Sequence, residues 1–506
     1  MAELILAVDQ GTTGTTVLVV RPDGSVLGRG YREHPQHFPQ PGWVEHDPEA
    51  IWSSVLESTT EAMAAAGVVA GDLAAVGITN QRETIVAWDS ATGAAIPPTI
   101  VWQDRRTAER CRALRAAGHG TRVRELTGLP VDPYFSGTKV EWLLQHVPEA
   151  RAAADAGTLR IGTIDSWLAW RMSAGAAHIT DASNAARTML YDIHAGRWSD
   201  ELCAMLGVDP AWLPRVVDCA GELARCDGAA YLGIDAPISG IAGDQQSALF
   251  GQACLERGQA KATYGTGAFV LVNSGDSAPA SEALISTVAW QLGGAATYAL
   301  EGSVFTAGAS VQWLRDGVQF IESARDVEQL AASVPDSGGV VLVPAFAGLG
   351  APHWDAEARG ALLGLTRGTT RAHVARATLE AVAFRVRQLV DSMRAEGTDV
   401  HELRVDGGMA ANDLLMQLQA DVLGVPVTRP VNVETTSLGA AFLAAYGSGL
   451  HASLDEVAAA WKVERTFEPR HDDAIQAAFA RFEHAVDATR AFARATTISS
   501  SSVSPA

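Results

Sequence analysis

An apolar run from Leu4 to Val8 is followed by the polar, glycine-bearing stretch Asp9-Gln10-Gly11-Thr12-Thr13, and a second apolar run reaches Val20. Arg21-Pro22-Asp23-Gly24 then separates it from a third run, Ser25 to Tyr31. Short β-rich runs broken by turn residues predict an antiparallel three-stranded meander. The segment 77–96 reads as strand, turn, strand, whereas Pro48 to Ala66 and Thr138 to His146 carry apolar residues at helical spacing. Strands and helices alternate, which predicts an α/β protein rather than a β-sandwich or a helical bundle.

The second half opens on a small-residue segment leading into a helix (240–258) and then repeats the opening plan as strand, Gly265-Thr266-Gly267, strand over 259–275. This is a weak internal duplication. It puts a tight glycine and hydroxyl turn between two strands in each half, so two phosphate-sized cradles would face each other across a cleft. The boundary is expected near 243–255, giving domains 1–245 and 246–494. Beyond them lie an apolar helix over 373–393, a strand-to-turn element over 403–412 and a helix over 413–423. The end, 495–506, is serine-rich with no core-forming face, and is expected as a disordered tail.

Two uncharged 18-residue stretches, Ala283 to Leu300 and Ser337 to Trp354, need testing as membrane spans. The first holds Gly293-Gly294 between β-rich arms and reads as a hairpin. The second holds Pro344, Pro352 and several glycines, whose backbone groups hydrocarbon would leave unpaired. The chain has 506 residues and a formal charge of −20, which disfavours nucleic acid and anionic membrane surfaces as partners. Its five cysteines are scattered with no C-x-x-C pair, so a reducing cytoplasm and no zinc site are expected. The start lacks the basic and long apolar regions of a signal peptide.

The usual phosphate loops are absent. Only three lysines occur, Lys139, Lys261 and Lys462, and none closes a Walker A loop. No G-x-G-x-x-G opens a helix after a strand. What remains is Asp9-Gln10-Gly11-Thr12-Thr13 at a strand end, where backbone N–H groups could approach a polyphosphate. A second acid follows in Ala242-Gly243-Asp244-Gln245-Gln246, and a third glycine-rich strand end is Asp406-Gly407-Gly408-Met409. An ordinary hairpin turn explains the first alone; three such ends together favour a nucleotide cleft.

Longer strings carry a resemblance: FPQPGWVEHDP (38–48), GITNQRET (77–84), IVWQDRRT (100–107), YFSGTKVEWLLQH (134–146), ISGIAGDQQSALFGQ (238–252), ATYGTGAF (262–269), YALEGSVFTAGASVQWLRD (298–316), PAFAGLGAPHWD (344–355) and GALLGLTRGTTRAHVARATLE (360–380). From residue 4 to about 470 the chain resembles the FGGY carbohydrate kinases of the actin-like ATPase superfamily. The resemblance implies two actin-like (ribonuclease H-like) α/β domains flanking a nucleotide cleft. It also implies ATP and Mg2+ as cofactors, glycerol as acceptor and sn-glycerol 3-phosphate as product.

Carried over residue by residue, it implies an acceptor pocket of Arg82, Glu83, Trp102, Tyr134, Asp244, Gln245 and Phe269, with Asp244 as general base. Nucleotide contacts map to Thr12, Thr13, Gly14, Thr266, Gly308, Gln312, Gly408 and Asn412, and metal approach to Asp9 and Asp244. A homo-oligomer, dimer or tetramer, is implied too. Physically, a small uncharged triol must be gripped by convergent hydrogen bonds over an apolar floor, and phosphoryl transfer needs positioning more than covalent help. Another short polyol or ketose as acceptor, or a ligand-sensing chain with weak turnover, stay open as alternatives.

The sequence departs from the family in places. Thr16 stands where the first phosphate loop usually carries an arginine, which implies either lower ATP affinity or turnover, or another cation, such as Arg105 or Lys261, clamping the terminal phosphates. Met409 replaces a smaller residue beside the adenosine site. Asp235 stands where some relatives bind fructose 1,6-bisphosphate through arginine, and Cys226 to Ala236 holds no phosphorylatable histidine, so neither control is expected.

Overall fold

The computed structural model describes residues 3–471 and 473–501 of the 506. Two large mixed sheets dominate it. The first comprises β1 (Leu4–Gln10), β2 (Gly14–Val20), β3 (Val26–Glu33), β4 (Leu73–Asn80), β5 (Ala220–Arg225) and β6 (Pro237–Gly243), in the order β5-β6-β4-β1-β2-β3. The predicted meander is β1-β2-β3, with Asp9 opposite Thr16 and Thr16 opposite Tyr31. Strands β4 and β6 run parallel beside β1, and β5 closes the edge antiparallel.

The second sheet comprises β7 (Gln259–Tyr264), β8 (Ala268–Gly275), β9 (Ile285–Leu292), β10 (Ala295–Val304), β11 (Glu402–Asp406), β12 (Val427–Pro430) and β13 (Val463–Phe467), ordered β9-β10-β8-β7-β11-β12-β13. Here β7, β8 and β10 form the antiparallel meander, β11 and β12 run parallel beside β7, and β13 is the antiparallel edge. Apart from the added β9, this repeats the plan of the first sheet strand for strand, so the duplication read from sequence is a duplication of topology. Strands β9 and β10 are the two arms expected around Gly293-Gly294. No helix among the described residues is long and apolar enough to cross a membrane.

Helices cover both faces. Leu6 and Val8 of β1 pack under α1 (Pro48–Ala66), whose predicted span is met in full. Further along come α2 (Gly137–His146), α3 (Ala182–Ala185), α4 (Asp244–Gly251), α5 (Gly308–Gln312), α6 (Arg371–Ala395), α7 (Asp413–Leu423) and α8 (Thr435–Gly447). Ile5 and Ala7, on the other face of β1, pack with Leu438, Ala440 and Ala441 of α8. A helix late in the chain thus lies on the first sheet. It does so at very close range, since a Cβ on Gly77 of β4 would come within 2.2 Å of Ala440 O, and it packs as closely on α4, where a Cβ on Gly439 would come within 1.8 Å of Ser247 O. Only glycine admits that approach.

A five-stranded accessory sheet, Gln36–His37, Glu45–His46, Ala95–Ile100, Ile85–Asp89 and Leu159–Thr163, sits beside α2 and holds the loops after β4. The helix α9 (Asp473–Ser501) runs into the first residues of the expected tail, and no glycine or proline between 473 and 501 interrupts its backbone ladder. The rest of the expected tail, 502–506, lies outside the described residues.

Candidate active site

Strands β4 and β6, both parallel to β1, end at the same side of the first sheet, and the chemistry-bearing side chains emerge there. Strand β4 runs into Gln81-Arg82-Glu83-Thr84, a turn so tight that Thr84 N donates to Arg82 O at 2.7 Å across Glu83. Glu83 consequently has φ +61, a left-handed conformation that a glutamate adopts only when its surroundings hold it there. Strand β6 ends at Gly243, and Asp244 is the first residue of α4, where the positive end of the helix favours a carboxylate.

These elements build a chain of alternating charges. Arg82 Nε lies 3.0 Å from Asp244 Oδ1. Its Nη1 donates to Glu301 Oε2 at 2.6 Å and to Gln246 Oε1 at 3.1 Å, and its Nη2 donates to Glu301 Oε1 at 3.1 Å. A guanidinium has five N–H groups, so Arg82 retains one, on Nη2, for a ligand hydroxyl. Glu301, on β10, also accepts from Arg187 Nη2 at 3.1 Å, and Arg187 Nε donates to Glu83 Oε1 at 2.6 Å. Arg82 and Glu83 are neighbours in sequence but only 3.9 Å partners in space; each is held by other residues.

Burial and charge set the protonation states. Burial raises the Glu83 carboxyl, and Arg187 and then Arg82 oppose it. For Glu301 burial acts the same way but Arg187 and Arg82 together outweigh it, holding the carboxyl at about 2. In that chain the side chains of Arg82, Glu83, Arg187 and Glu301 are at most 2% exposed, whereas Asp244 is 32% exposed. Asp244 is the member that a substrate can reach.

The apolar side of the pocket is aromatic. Trp102 and Tyr134 meet edge to face with centroids 5.5 Å apart, and the Arg187 guanidinium lies 5.7 Å from the Tyr134 ring centroid. Trp102 Nε1 donates to Thr12 Oγ1 at 2.9 Å, which ties the pocket wall to the first phosphate loop. The Tyr134 hydroxyl makes no hydrogen bond among the described residues. Phe269, half-buried on β8, pairs with Thr263 and Ser303 in the second sheet.

Asp9, half-buried at the end of β1, accepts from Ser437 Oγ at 2.9 Å. Burial raises its carboxyl to about 7; the Ser437 hydrogen bond opposes this and the nearby charge of Asp244 adds to it. Thr13 is exposed in the loop. Gly14 is a strand residue whose Cβ would come within 2.6 Å of Arg32 O, so its lack of a side chain serves the contact with β3. Of the expected substitutes for the loop arginine, Arg105 is spent on an exposed pair with Asp132 at 3.0 Å. Lys261 is buried on β7, hydrogen-bonded to Gln245 Oε1 and, at 2.9 Å, to Thr263 Oγ1, and burial pulls it down to about 8.

The opposite cradle comes from the second sheet. Thr266, exposed between β7 and β8, accepts through its carbonyl from Ala307 N at 2.9 Å and Ala309 N at 3.0 Å, and Gly308 N donates to Gly265 O at 3.0 Å. A Cβ on Gly308 would sit 2.5 Å from Gly265 O and 3.6 Å from Met409 Sδ, so α5 and the Gly407–Met409 turn converge on the β7–β8 turn. Gly407 has φ +83 and abuts the Tyr264 backbone. Asn412 uses Oδ1 to cap α7 through Leu415 N at 2.8 Å, and Gln312 is exposed at the end of α5.

Arg187, Glu301, Gln246 and Ser437 were not foreseen. Glu301 is the one acid inside the apolar β10 run, a signal the sequence offered. Arg187 offered none, because its partners stand 104 and 114 residues away.

Comparison with known proteins places this geometry. Residues 4–251 match the N-terminal domain, and residues 260–448 the C-terminal domain, of the FGGY family of carbohydrate kinases. The chain is 56% identical over 495 residues to a glycerol kinase of Aromatoleum aromaticum, covering 97% of this chain and 99% of that one. It is 55% identical over 470 residues to a glycerol kinase of Deinococcus radiodurans, covering 92% and 93%. The Plasmodium falciparum glycerol kinase structure with ADP superposes with TM-score 0.91 at 34% identity, covering 96% and 98%. A ligand-bound xylulose kinase of Lactobacillus acidophilus shares the fold with TM-score 0.86 at 21% identity, covering 96% and 98%.

Proposed function

The chain belongs to the FGGY family of carbohydrate kinases, and from that premise we propose that its cleft transfers the γ-phosphoryl group of ATP to glycerol, giving sn-glycerol 3-phosphate. The observation that carries this reading is the reach of Asp244: it is the accessible end of a buried charge chain, oriented by Arg82 Nε at 3.0 Å and by Gln245 N at 2.6 Å. A carboxylate so placed orients an attacking hydroxyl and takes its proton. The remaining Nη2–H of Arg82 donates to a hydroxyl, and Glu83 Oε2, which has no partner among the described residues, accepts from another. Trp102 and Tyr134 cover the carbon chain, as an uncharged triol requires.

Gly11, Thr12, Thr13 and Gly14 on one side, and Thr266, Gly308, Gln312, Gly408 and Asn412 on the other, are proposed to cradle ATP, with Gln245 and Phe269 completing the acceptor wall. Asp9 and Asp244 fit a divalent cation: both are carboxylates at ends of strands of the first sheet, and burial, opposed by the Ser437 hydrogen bond and reinforced by the charge of Asp244, pushes Asp9 towards protonation. Two carboxylates plus phosphate oxygens are the donor set Mg2+ prefers. When bound, Mg2+ neutralises charge on the transferring phosphates. The protein's share is to position both substrates and exclude water, which would otherwise accept the phosphoryl group.

Five free, buried cysteines support a reducing, cytoplasmic setting. Family membership supports a homo-oligomer. Asp235 forms an exposed pair with Arg225 at 3.1 Å, and a carboxylate there disfavours capture of fructose 1,6-bisphosphate. The test is ADP formation followed over a panel of short polyols and ketoses. Glycerol is expected to give the highest kcat/KM; preference for another acceptor, or ATP binding without ADP release, overturns the reading.

A further inference from the structure

Arg187 is a fully buried arginine that touches neither phosphate loop. It follows α3, lies 5.3 Å from the Phe135 ring centroid as well as under Tyr134, and spends Nε on Glu83 and Nη2 on Glu301. Its Nη1 is buried without a hydrogen-bond partner. As a device for stability this is poor: a buried ion with an unpaired N–H costs more than an apolar side chain of similar volume. Glu83, the residue it holds, is itself in a strained turn pinned by Ser136 Oγ donating to Glu83 O at 3.0 Å. Two costs borne at one contact point to a role in binding.

Resting on the glycerol kinase reading, we infer that Arg187 is a positioning residue for the acceptor: it fixes Glu83 in one orientation, so that the free carboxylate oxygen accepts a glycerol hydroxyl. The groups facing Glu83 are Arg82 from the same turn, Arg187 from beyond α3, Glu301 from β10, Tyr134 from just before α2 and Lys139 from within it. Of these Arg187 opposes protonation of Glu83 most strongly. Without it the carboxyl, already raised by burial, rises further, and a protonated Glu83 donates where the pocket needs an acceptor.

The experiment compares wild type, Arg187→Gln and Arg187→Lys by steady-state ADP formation from pH 6 to 8. Arg187→Gln is expected to raise KM for glycerol about 10- to 100-fold, the worth of one charge-assisted contact, while KM for ATP stays within about threefold. Its kcat/KM for glycerol, taken relative to wild type, should fall further as pH is lowered, and Arg187→Lys should restore most of that ratio. A folded Arg187→Gln whose two KM values rise together, or whose ratio to wild type is flat with pH, overturns the inference. So does failure of both variants to fold, since that assigns Arg187 to stability. A wild-type chain that releases no ADP with glycerol is a separate result, which overturns the functional reading and this inference with it.

Discussion

Arg82 Nε stands 3.0 Å from Asp244 Oδ1 while both terminal nitrogens of the same guanidinium are engaged by Glu301. Glu301 belongs to the second sheet and Arg82 to the end of a strand in the first, so the residue that orients Asp244 is anchored across the two halves of the molecule. Position of the acid and relative placement of the halves are therefore one property.

That anchoring can be broken. Glu301→Gln leaves Arg82 and Arg187 buried against a neutral amide, and breaking one partner of a buried ion cluster costs about 3–5 kcal/mol. Thermal unfolding should show a clear loss of stability; an unchanged melting temperature would show that the cluster is not needed to join the halves. Acid supplies a second check. The folded-state value of Glu301, about 2, lies below its ordinary 4.5, so its contribution is complete above 4.5 and lost as pH falls through about 2.

Asp9 behaves in the opposite sense. Its folded-state value of about 7 lies above the ordinary 3.8, so between these values the folded chain binds more protons than the unfolded one, and stability falls as pH rises through that window. A divalent cation needs the ionised form. Mg2+ should therefore stabilise the protein more at pH 8 than at pH 6, and Asp9→Asn should remove the difference. Melting curves at the two pH values, with and without Mg2+, decide it; a pH-independent shift in the wild type counts against Asp9 as a cation ligand.

Thr16 leaves the first phosphate loop without a guanidinium, and the structure offers Arg29 in compensation. Thr16 and Leu18 share one face of β2, and Arg29 on β3 stands opposite Leu18. Its guanidinium is 3.5 Å from Glu434 and 5.6 Å from the Tyr31 ring centroid, and its charge lowers the Asp9 carboxyl. Arg29→Ala should raise KM for ATP about 5- to 10-fold at low salt, less at high salt, with KM for glycerol unchanged. Equal effects on both substrates would remove Arg29 from the nucleotide side.

Much of this was legible in the chain. Alternation and turn residues place β1, β2 and β3, the β9–β10 hairpin and α1 because each is fixed by local pattern. The doubled glycine and hydroxyl turns foretell the repeated topology. Illegible were contacts set by distant pairing: Arg187 with Glu83, Glu301 with Arg82, and the docking of α8 on the first sheet through Gly77 and on α4 through Gly439. The strained Glu83 conformation, which sends Arg82 and Glu83 to different protein partners, carried no sequence signal.

In the proposed reaction Asp244 takes the proton from a glycerol hydroxyl. Steady-state ADP formation with saturating glycerol and MgATP, compared between wild type and Asp244→Asn, tests it most directly. The variant keeps the side chain's shape but not its basicity, so kcat should drop about 100- to 10,000-fold with ATP binding retained by calorimetry. An Asp244→Asn chain that turns over at the wild-type rate contradicts the account.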